Sequence, residues 1–150
     1  MASTYTTVFG IEEMASGDQS GAWGTTTNYN LDIVDRIGSF KEVTISGTSH
    51  TLTVREASPG SGTSNVQDGM YRAIRFKDGG DIGGNCTLTV APNTAATYFL
   101  MENALSASRS IIVTQGSGAN VTILNGKNVI IYCDGAGSGA VATKQDISSA

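Results

Sequence analysis

The spacing of apolar residues changes near residue 40. Before that point, one helical face collects most of the large apolar side chains. That stripe is formed by Tyr29, Leu31, Ile33, Val34 and Ile37. Residues 25–28 offer N-cap side chains, and Gly38 is placed to end the segment. The pattern predicts an amphipathic helix at residues 28–37, from Asn28 to Ile37. A helix this short does not persist alone in water, so we expect it to dock on something.

From residue 40 onward, apolar and polar positions alternate, which is typical of half-buried β-strands. The segments 43–45 and 52–54 flank a Gly-Thr-Ser turn and predict a β-hairpin. Six further strands are predicted, at residues 71–76, 86–91, 97–101, 111–115, 121–124 and 129–133. Asn125-Gly126, between the last two, predicts a second hairpin. Short strands at regular spacing predict a mainly β protein. The fold class is a sandwich or barrel-like β domain with one short N-terminal amphipathic helix and extended termini.

Differences in composition and in apolar spacing divide the chain into three regions. Residues 1–39 form an N-terminal arm, a Trp-Gly loop and the helix. Residues 40–135 form the β domain, and residues 136–150 form an extended Gly/Ala/Ser-rich tail. Residues 140–143 could add a strand, in this subunit or in a neighbour. No internal repeat of fixed period is found. Thr-Leu-Thr-Val occurs twice, at residues 51–54 and 87–90, which two half-buried strands of similar chemistry explain without a duplication.

The low content of charged residues favours an assembly subunit. Only 15% of the residues are Asp, Glu, Lys or Arg, whereas soluble surfaces carry roughly 25–35%. The formal charge is −4 with nine scattered basic residues, so nucleic acid is not an expected partner. Apolar runs are too short to span a membrane, and the N-terminus lacks the basic and apolar regions of a secretory signal. We therefore expect the chain to fold in a cytoplasm, where Cys86 and Cys133 remain buried free thiols.

Side-chain constellations for catalysis or metal binding are missing from the sequence. His50 is predicted in an exposed hairpin turn, without a nucleophile elbow to complete a triad. The acidic, glycine-dense segment 78–85 resembles a calcium loop only faintly, and a tight turn is the preferred interpretation. Glu12-Glu13 stand adjacent, so they point to different faces and do not form an acid/base pair. The sequence predicts a protein that is not an enzyme and has no cofactor, no metal site and no catalytic residue.

The N-terminal region resembles a motif of tail-fibre and other virion structural proteins from marine and cyanobacterial tailed bacteriophages. That motif runs roughly Gly-(Asp/Glu)-x-x-Gly-x-Trp-Gly-x-x-x-Asn-x-Asn and leads into an amphipathic helix ending in Ile-Gly. The matching residues here are Gly17, Asp18, Gly21, Trp23, Gly24, Asn28, Asn30, Ile37 and Gly38. Segments ending in Pro92-Asn93, Glu102-Asn103 and Asp134-Gly135 are similar as well. The resemblance covers about residues 1–135.

This resemblance implies a non-enzymatic virion structural protein of the tail-fibre or appendage type, assembled in the host cytoplasm. Its expected partners are itself, as a homo-oligomer and most often a trimer, other virion proteins and a host surface receptor. The residues expected to serve assembly and docking are Trp23, Gly24, Asn28, Tyr29, Asn30, Ile33 and Ile37. Trp23 could instead be a core residue of its own domain. Two alternative functions stay open, a capsid decoration (cement) protein that stabilises the head shell and a host-glycan-binding module. Because the sequence ends at Ala150 where many similar proteins continue into a distal fibre, a short adaptor role is also expected.

Overall fold

One helix and eleven short strands account for the regular structure of residues 2–145, which the computed structural model describes. They are β1 (Thr4–Tyr5), β2 (Glu12–Glu13), α1 (Trp23–Ile37), β3 (Phe40–Thr44), β4 (Ser49–Thr53), β5 (Ala73–Lys77), β6 (Cys86–Ala91), β7 (Thr97–Asn103), β8 (Ile111–Thr114), β9 (Val121–Ile123), β10 (Asn128–Cys133) and β11 (Ala142–Gln145). Two 3₁₀ turns lie at Asp68–Met70 and Gly137–Gly139. The prediction of a mainly β fold with one N-terminal helix is confirmed.

The chain winds between two sheets. The five-stranded sheet has the order β11-β10-β7-β5-β3, and the four-stranded sheet has the order β4-β6-β8-β9. From β3 to β8, successive strands alternate between the sheets, and each lies parallel to the strand two positions earlier. This is the winding of a short parallel β-solenoid, which β9, β10 and β11 complete in antiparallel pairing. The sheets sandwich one core and do not close into a barrel.

Both predicted hairpins are wrong, although the strands themselves are present. β3 and β4 belong to different sheets, as do β9 and β10. The alternation correctly placed Val43 and Leu52 in the core, because a period of two determines which face is buried. It does not determine the partner strand. The turns after β3 and β9 carry the chain from one sheet to the other.

The core between the sheets is apolar and contains both thiols. Phe76, Phe99 and Cys86 are fully buried, and Cys133 is nearly so. Neither cysteine is in a disulfide, which confirms the prediction of buried free thiols. Burial, reinforced by the neighbouring Asp134 carboxylate, raises the pKa of Cys133 to about 11. Burial also raises the pKa of Cys86, so both thiols stay protonated at neutral pH.

Buried amide side chains hold the irregular connections. The Asn103 amide nitrogen donates to the carbonyls of Arg109 and Ile123, both at 2.9 Å. Its Oδ1 accepts the Leu105 N–H at 3.1 Å. Gln115 acts in the same way, donating to the Ala95 carbonyl and accepting from the backbone after β10. Each amide satisfies backbone groups that the bends leave without partners.

The helix begins at Trp23, five residues before the predicted start. Residues 25–28 were predicted as its cap but lie inside it, and Ala22 precedes it without a side-chain cap. The Thr26 hydroxyl instead donates to the Gln19 amide oxygen at 2.9 Å, a tertiary contact that the local pattern does not reveal. Ile33 is buried as predicted, whereas Leu31 and Val34 project into solvent. The apolar stripe is therefore narrower than predicted.

The N-terminal arm is attached through polar groups as well as through Val8 and Phe9, which pack against the core. Asn30 in the helix donates to the Glu12 carbonyl and accepts the Glu12 N–H, at 2.9 and 3.0 Å, as a strand partner would. The Glu12 carboxylate accepts from the Gln19 amide and from the Gly62 N–H. Asn65 donates to the carbonyls of Phe9 and Gly10. The arm is thus fastened to both the helix and the loop that follows β4.

The last part of the chain joins the five-stranded sheet. The strand predicted at residues 140–143 forms within this subunit as β11, which pairs with β10. The Gly137–Gly139 turn precedes it. Residues 146–150 of the predicted tail lie outside the described residues.

Candidate assembly surface

Two neighbouring cross-strand rows on the outer face of the five-stranded sheet are apolar as far as β10 and end in Gln145 and Thr143 of β11. The register aligns Phe40 of β3 with Ala73 of β5, Leu100 of β7 and Ile130 of β10. Two residues further along each strand, and so on the same face, Tyr98 of β7 lies directly opposite Tyr132 of β10. We call the surface formed by Phe40, Tyr98, Leu100, Ile130 and Tyr132 the apolar face.

The large side chains of the apolar face are widely exposed. The exposed fractions are 61% for Phe40, 58% for Tyr98, 47% for Leu100 and 43% for Tyr132. Single exposed apolar residues are ordinary, whereas the largest contiguous apolar patch on a protein is often a functional one. The spacing of strands and residues gives these two rows a footprint of a few hundred Å².

A charged row borders the apolar face on one side. Glu42, Arg75 and Glu102 are aligned across β3, β5 and β7. Arg75 lies 3.7 Å from the Glu42 carboxylate and 3.5 Å from that of Glu102. Lys77 also bonds to Glu42, and this hydrogen bond lowers the pKa of the Glu42 carboxyl. Because the charges are paired along the row, the border carries no strong field of one sign.

The outer face of the four-stranded sheet has the opposite character. Thr51, Thr89 and Thr114 are aligned across β4, β6 and β8. Ser49 and Thr87 stand in the adjacent row. Hydroxyl groups predominate on this outer face, although Ile112 of β8 stands in the row of Ser49 and Thr87, whereas the large exposed aromatic and aliphatic side chains lie on the five-stranded sheet. This asymmetry identifies the five-stranded sheet as the candidate interface.

The residues predicted to serve docking are spread over different environments on α1. Trp23, at 64% exposure, is a surface residue and not a core residue of its own domain. Gly24 and Asn28 are exposed, while Tyr29, Asn30 and Ile37 are half-buried and Ile33 is buried. Asn30 and Ile33 are engaged within the chain itself.

A second exposed apolar stripe runs along the outer side of the helix. It consists of Trp23, Leu31 and Val34, whose spacing of eight and three residues places them on one side of an α-helix. Three of the helix residues therefore offer apolar surface to a partner, only one of which was among the predicted docking residues.

Sequence reasoning did not identify the apolar face, although the strands carry a pattern that indicates it. β7 and β10 have apolar residues on both faces, as in Tyr98-Phe99-Leu100-Met101. Strands that are apolar on both sides are normally covered on both sides. Within residues 2–145, the inner side is covered by the sandwich core, while the outer side leaves Tyr98 and Leu100 exposed.

One ion pair elsewhere on the surface joins two loops of the sandwich. Arg109 forms a paired contact with Asp81, 2.8 Å from each carboxylate oxygen, and its hydrogen bonds lower the pKa of Asp81 to about 2. Within residues 2–145, no three His, Cys, Asp or Glu side chains come together in a group that could hold a metal ion. His50 lies in strand β4, so its prediction as a turn residue is wrong.

Neither a membrane-spanning helix nor a known relative is found for residues 2–145. In the part of the chain that the structure describes, no helix is both long and apolar enough to cross a membrane. Comparison of the sequence and fold with protein-family models, curated proteins and solved structures gives no match.

Proposed function

We propose that this chain is a non-enzymatic structural subunit of a bacteriophage virion, of the tail-fibre or appendage type, that self-assembles through its apolar face. The observation that carries the proposal is the exposure of Phe40, Tyr98, Leu100 and Tyr132 on one sheet. Covering these side chains removes apolar surface from water, which is the main driving force of subunit association. The low charge of the whole chain agrees with this role.

The expected assembly is a homotrimer in which each subunit turns its five-stranded sheet toward the three-fold axis. A rotationally symmetric arrangement of this kind brings the apolar faces together and leaves the threonine-rich sheet in water. The exposed side of the helix, with Trp23, then remains available for neighbouring virion proteins. Large aromatic side chains of this kind often anchor such contacts.

We expect the substitution Leu100→Glu to weaken self-association at least about tenfold, because a carboxylate in the centre of an apolar interface loses its hydration. The measurement is light scattering on the wild-type protein and the variant across a concentration series. Thr87→Glu is the matched control, since it adds the same charge to the exposed outer face of the other sheet. A wild-type protein that stays monomeric at high concentration, or an unchanged mass for Leu100→Glu, would contradict assembly through this face.

Location on the particle separates the tail-fibre role from that of a capsid decoration protein. Immunogold labelling of purified virions gives a few copies at the tail in the first case. Many copies on the head would instead establish the decoration role. Absence of the protein from purified virions would refute both.

A glycan-binding module is a second candidate, favoured by one feature of the same surface. Tyr98 and Tyr132 are adjacent, exposed and on one face of the sheet, and aromatic rings combine an apolar body with a polar tip suited to sugar rings. A glycan-array screen distinguishes the two functions. Binding that is lost in Tyr98→Ala, by a protein that is monomeric in light scattering, would favour the glycan-binding function.

A further inference from the structure

A cleft lies between strand β4 and residues 66–68, which follow the long loop after β4. Its volume is about 260 Å³. Seven residues line it, namely Arg36, His50, Thr51, Thr53, Val66, Gln67 and Asp68. His50, Thr51 and Thr53 belong to β4, which is an edge strand of the four-stranded sheet. Because β6 contributes nothing to the lining, the cleft lies on the side of β4 that has no partner strand.

The backbone of Thr51 points toward this cleft. Val54 donates its N–H to the Ala91 carbonyl, and Thr48 accepts from Thr87. These bonds and the parallel register place residues 48, 50, 52 and 54 in the ladder with β6. In a parallel pair, the N–H and C=O groups of the intervening residues turn the other way. Thr51 therefore presents one donor and one acceptor on the free edge, and within residues 2–145 neither group has a hydrogen-bond partner.

The Asp68–Met70 turn packs against the Thr53 end of the β4 edge, but the strand itself lacks the residues that usually protect an edge against strand pairing. Its sequence, Ser-His-Thr-Leu-Thr, contains no lysine, no acidic residue and no proline, the features that normally block an edge. The edge of the other sheet at the same end of the winding, β3, carries Lys41 and Glu42. The side chains of His50, Thr51 and Thr53 also make no hydrogen bond within residues 2–145. The cleft thus offers a strand edge together with free polar side chains.

The opposite wall of the cleft carries Arg36 and Asp68, and Lys41 lies beside it, outside the lining. Arg36 lies 3.6 Å from Asp68, and Lys41 lies 4.0 Å from the same carboxylate oxygen. Arg36 also stacks on the Tyr71 ring, 4.9 Å from its centroid, which holds the guanidinium in place. Two cations therefore face one carboxylate, in a chain whose overall charge is −4. An acidic side chain in the cleft would meet a favourable charge.

We infer that the free edge of β4 is a strand-addition site for a short extended segment of a partner protein, with an acidic residue placed beside Arg36. The segment pairs with the Thr51 N–H and C=O groups, as extended peptides do on exposed sheet edges. Main-chain hydrogen bonds supply the affinity, and Arg36 selects the acidic residue. This site is separate from the apolar face and does not depend on self-assembly.

The test uses the full chain and a blocked pentapeptide, acetyl-Thr-Val-Asp-Val-Thr-amide, titrated while backbone amide shifts are recorded by NMR. We expect saturable shifts centred on Thr51 and Thr53. The analogue with Lys in place of Asp should bind at least about threefold more weakly, because it meets Arg36. No saturable shift at millimolar peptide, or shifts centred elsewhere, would overturn the proposal.

Variants at one position separate the backbone contribution from the side chain. Thr51→Pro removes the outward N–H, and edge strands tolerate proline where that group faces solvent. We expect it to weaken peptide binding at least about tenfold, because one main-chain hydrogen bond is lost and the proline ring occupies the space where the peptide would lie. Thr51→Val keeps the N–H and should bind within about twofold of the wild type. Equal binding by a folded Thr51→Pro protein would overturn the proposal.

A second variant keeps the test decisive if Thr51→Pro does not fold. Val66→Trp fills the cleft from the opposite wall and should abolish peptide binding. Unchanged binding by this variant would also overturn the proposal.

Light scattering on each variant tests whether a second copy of this chain, and not a partner segment, occupies the β4 edge. If Thr51→Pro lowers the oligomeric mass while Leu100→Glu does not, a second copy occupies the edge and the partner-segment inference fails.

Discussion

Substitution of Asn103 by aspartate is expected to lower the free energy of unfolding by about 4 kcal/mol at pH 7. Asn103 is fully buried at the end of β7, and its amide nitrogen donates to the carbonyls of Arg109 and Ile123. A carboxylate there would face two carbonyl oxygens at hydrogen-bond distance, without a donor of its own. Chemical denaturation at pH 7 measures the loss, which corresponds to roughly 10 °C in melting temperature.

The pH dependence identifies the cause of this loss. Burial and the two carbonyls would raise the pKa of Asp in the folded variant above its unfolded value of about 3.9. The folded state then binds more protons than the unfolded state between those two pKa values, so the stability of the variant falls as the pH rises through that window. The difference between wild type and variant should therefore be smaller near pH 4 than at pH 7. The variant Asn103→Leu, which removes the donor without adding an ionisable group, should show a loss that does not change with pH.

Asn120→Asp is the matched control for the added charge, because Asn120 is exposed and precedes β9. Its stability should stay within about 0.5 kcal/mol of the wild type at every pH. If Asn103→Asp were equally harmless, the Asn103 hydrogen bonds would not hold the connection between β7 and β9.

Local pattern predicted the strands after residue 40 well and their pairing poorly, and it did not predict β1 and β2 in the arm. The predicted segment 86–91 matches β6 in full, and its neighbours differ by a few residues at their ends. Strand existence depends on the alternation of side chains, which the sequence displays directly. Parallel pairing depends on contacts between residues far apart in the chain. Phe40 is aligned with Ala73 and Ala73 with Leu100, at separations of 33 and 27 residues. Because these turns of the winding differ in length, the sequence shows no repeat of fixed period.

The two copies of the Thr-Leu-Thr-Val sequence lie in successive turns of that winding. They contribute to β4 and β6, which are neighbouring parallel strands. Their register is offset by two residues, with Thr51 opposite Thr89 and Leu52 opposite Val90. The interpretation as two half-buried strands of similar chemistry is confirmed, while their adjacency follows only from the structure.

The candidate surface was harder to predict than the strands, for a physical reason. A side chain on an outer face looks the same in the sequence whether solvent or a partner covers it. The motif of Trp23 and Gly24 predicted docking residues on the helix, where Trp23 is exposed. The apolar face needs Phe40 from β3 and Tyr132 from β10 to be brought onto one sheet, and that placement depends on the winding.

Replacement of Gly69 by alanine is expected to cost about 3 kcal/mol of unfolding free energy. A methyl group at this position would lie 2.4 Å from the Thr53 carbonyl oxygen and 2.7 Å from the Val54 backbone nitrogen. Both are backbone atoms, in β4 and at its end, so neither can rotate away as a flexible side chain would. The Asp68–Met70 turn would have to move off β4, and with it the buried Met70 side chain and the Gly69 carbonyl that accepts from Arg72 at 2.7 Å.

Gly79→Ala is the matched control, since nothing lies within 4 Å of the methyl group it adds. Its unfolding midpoint in denaturant should stay close to that of the wild type, while that of Gly69→Ala falls clearly. An equal midpoint for the two variants would mean that the turn yields easily and that the far wall of the β4 cleft is not fixed. A selective loss in Gly69→Ala would instead establish that this turn packs closely on the end of β4, because, of the two added methyl groups, only the one at Gly69 meets backbone atoms.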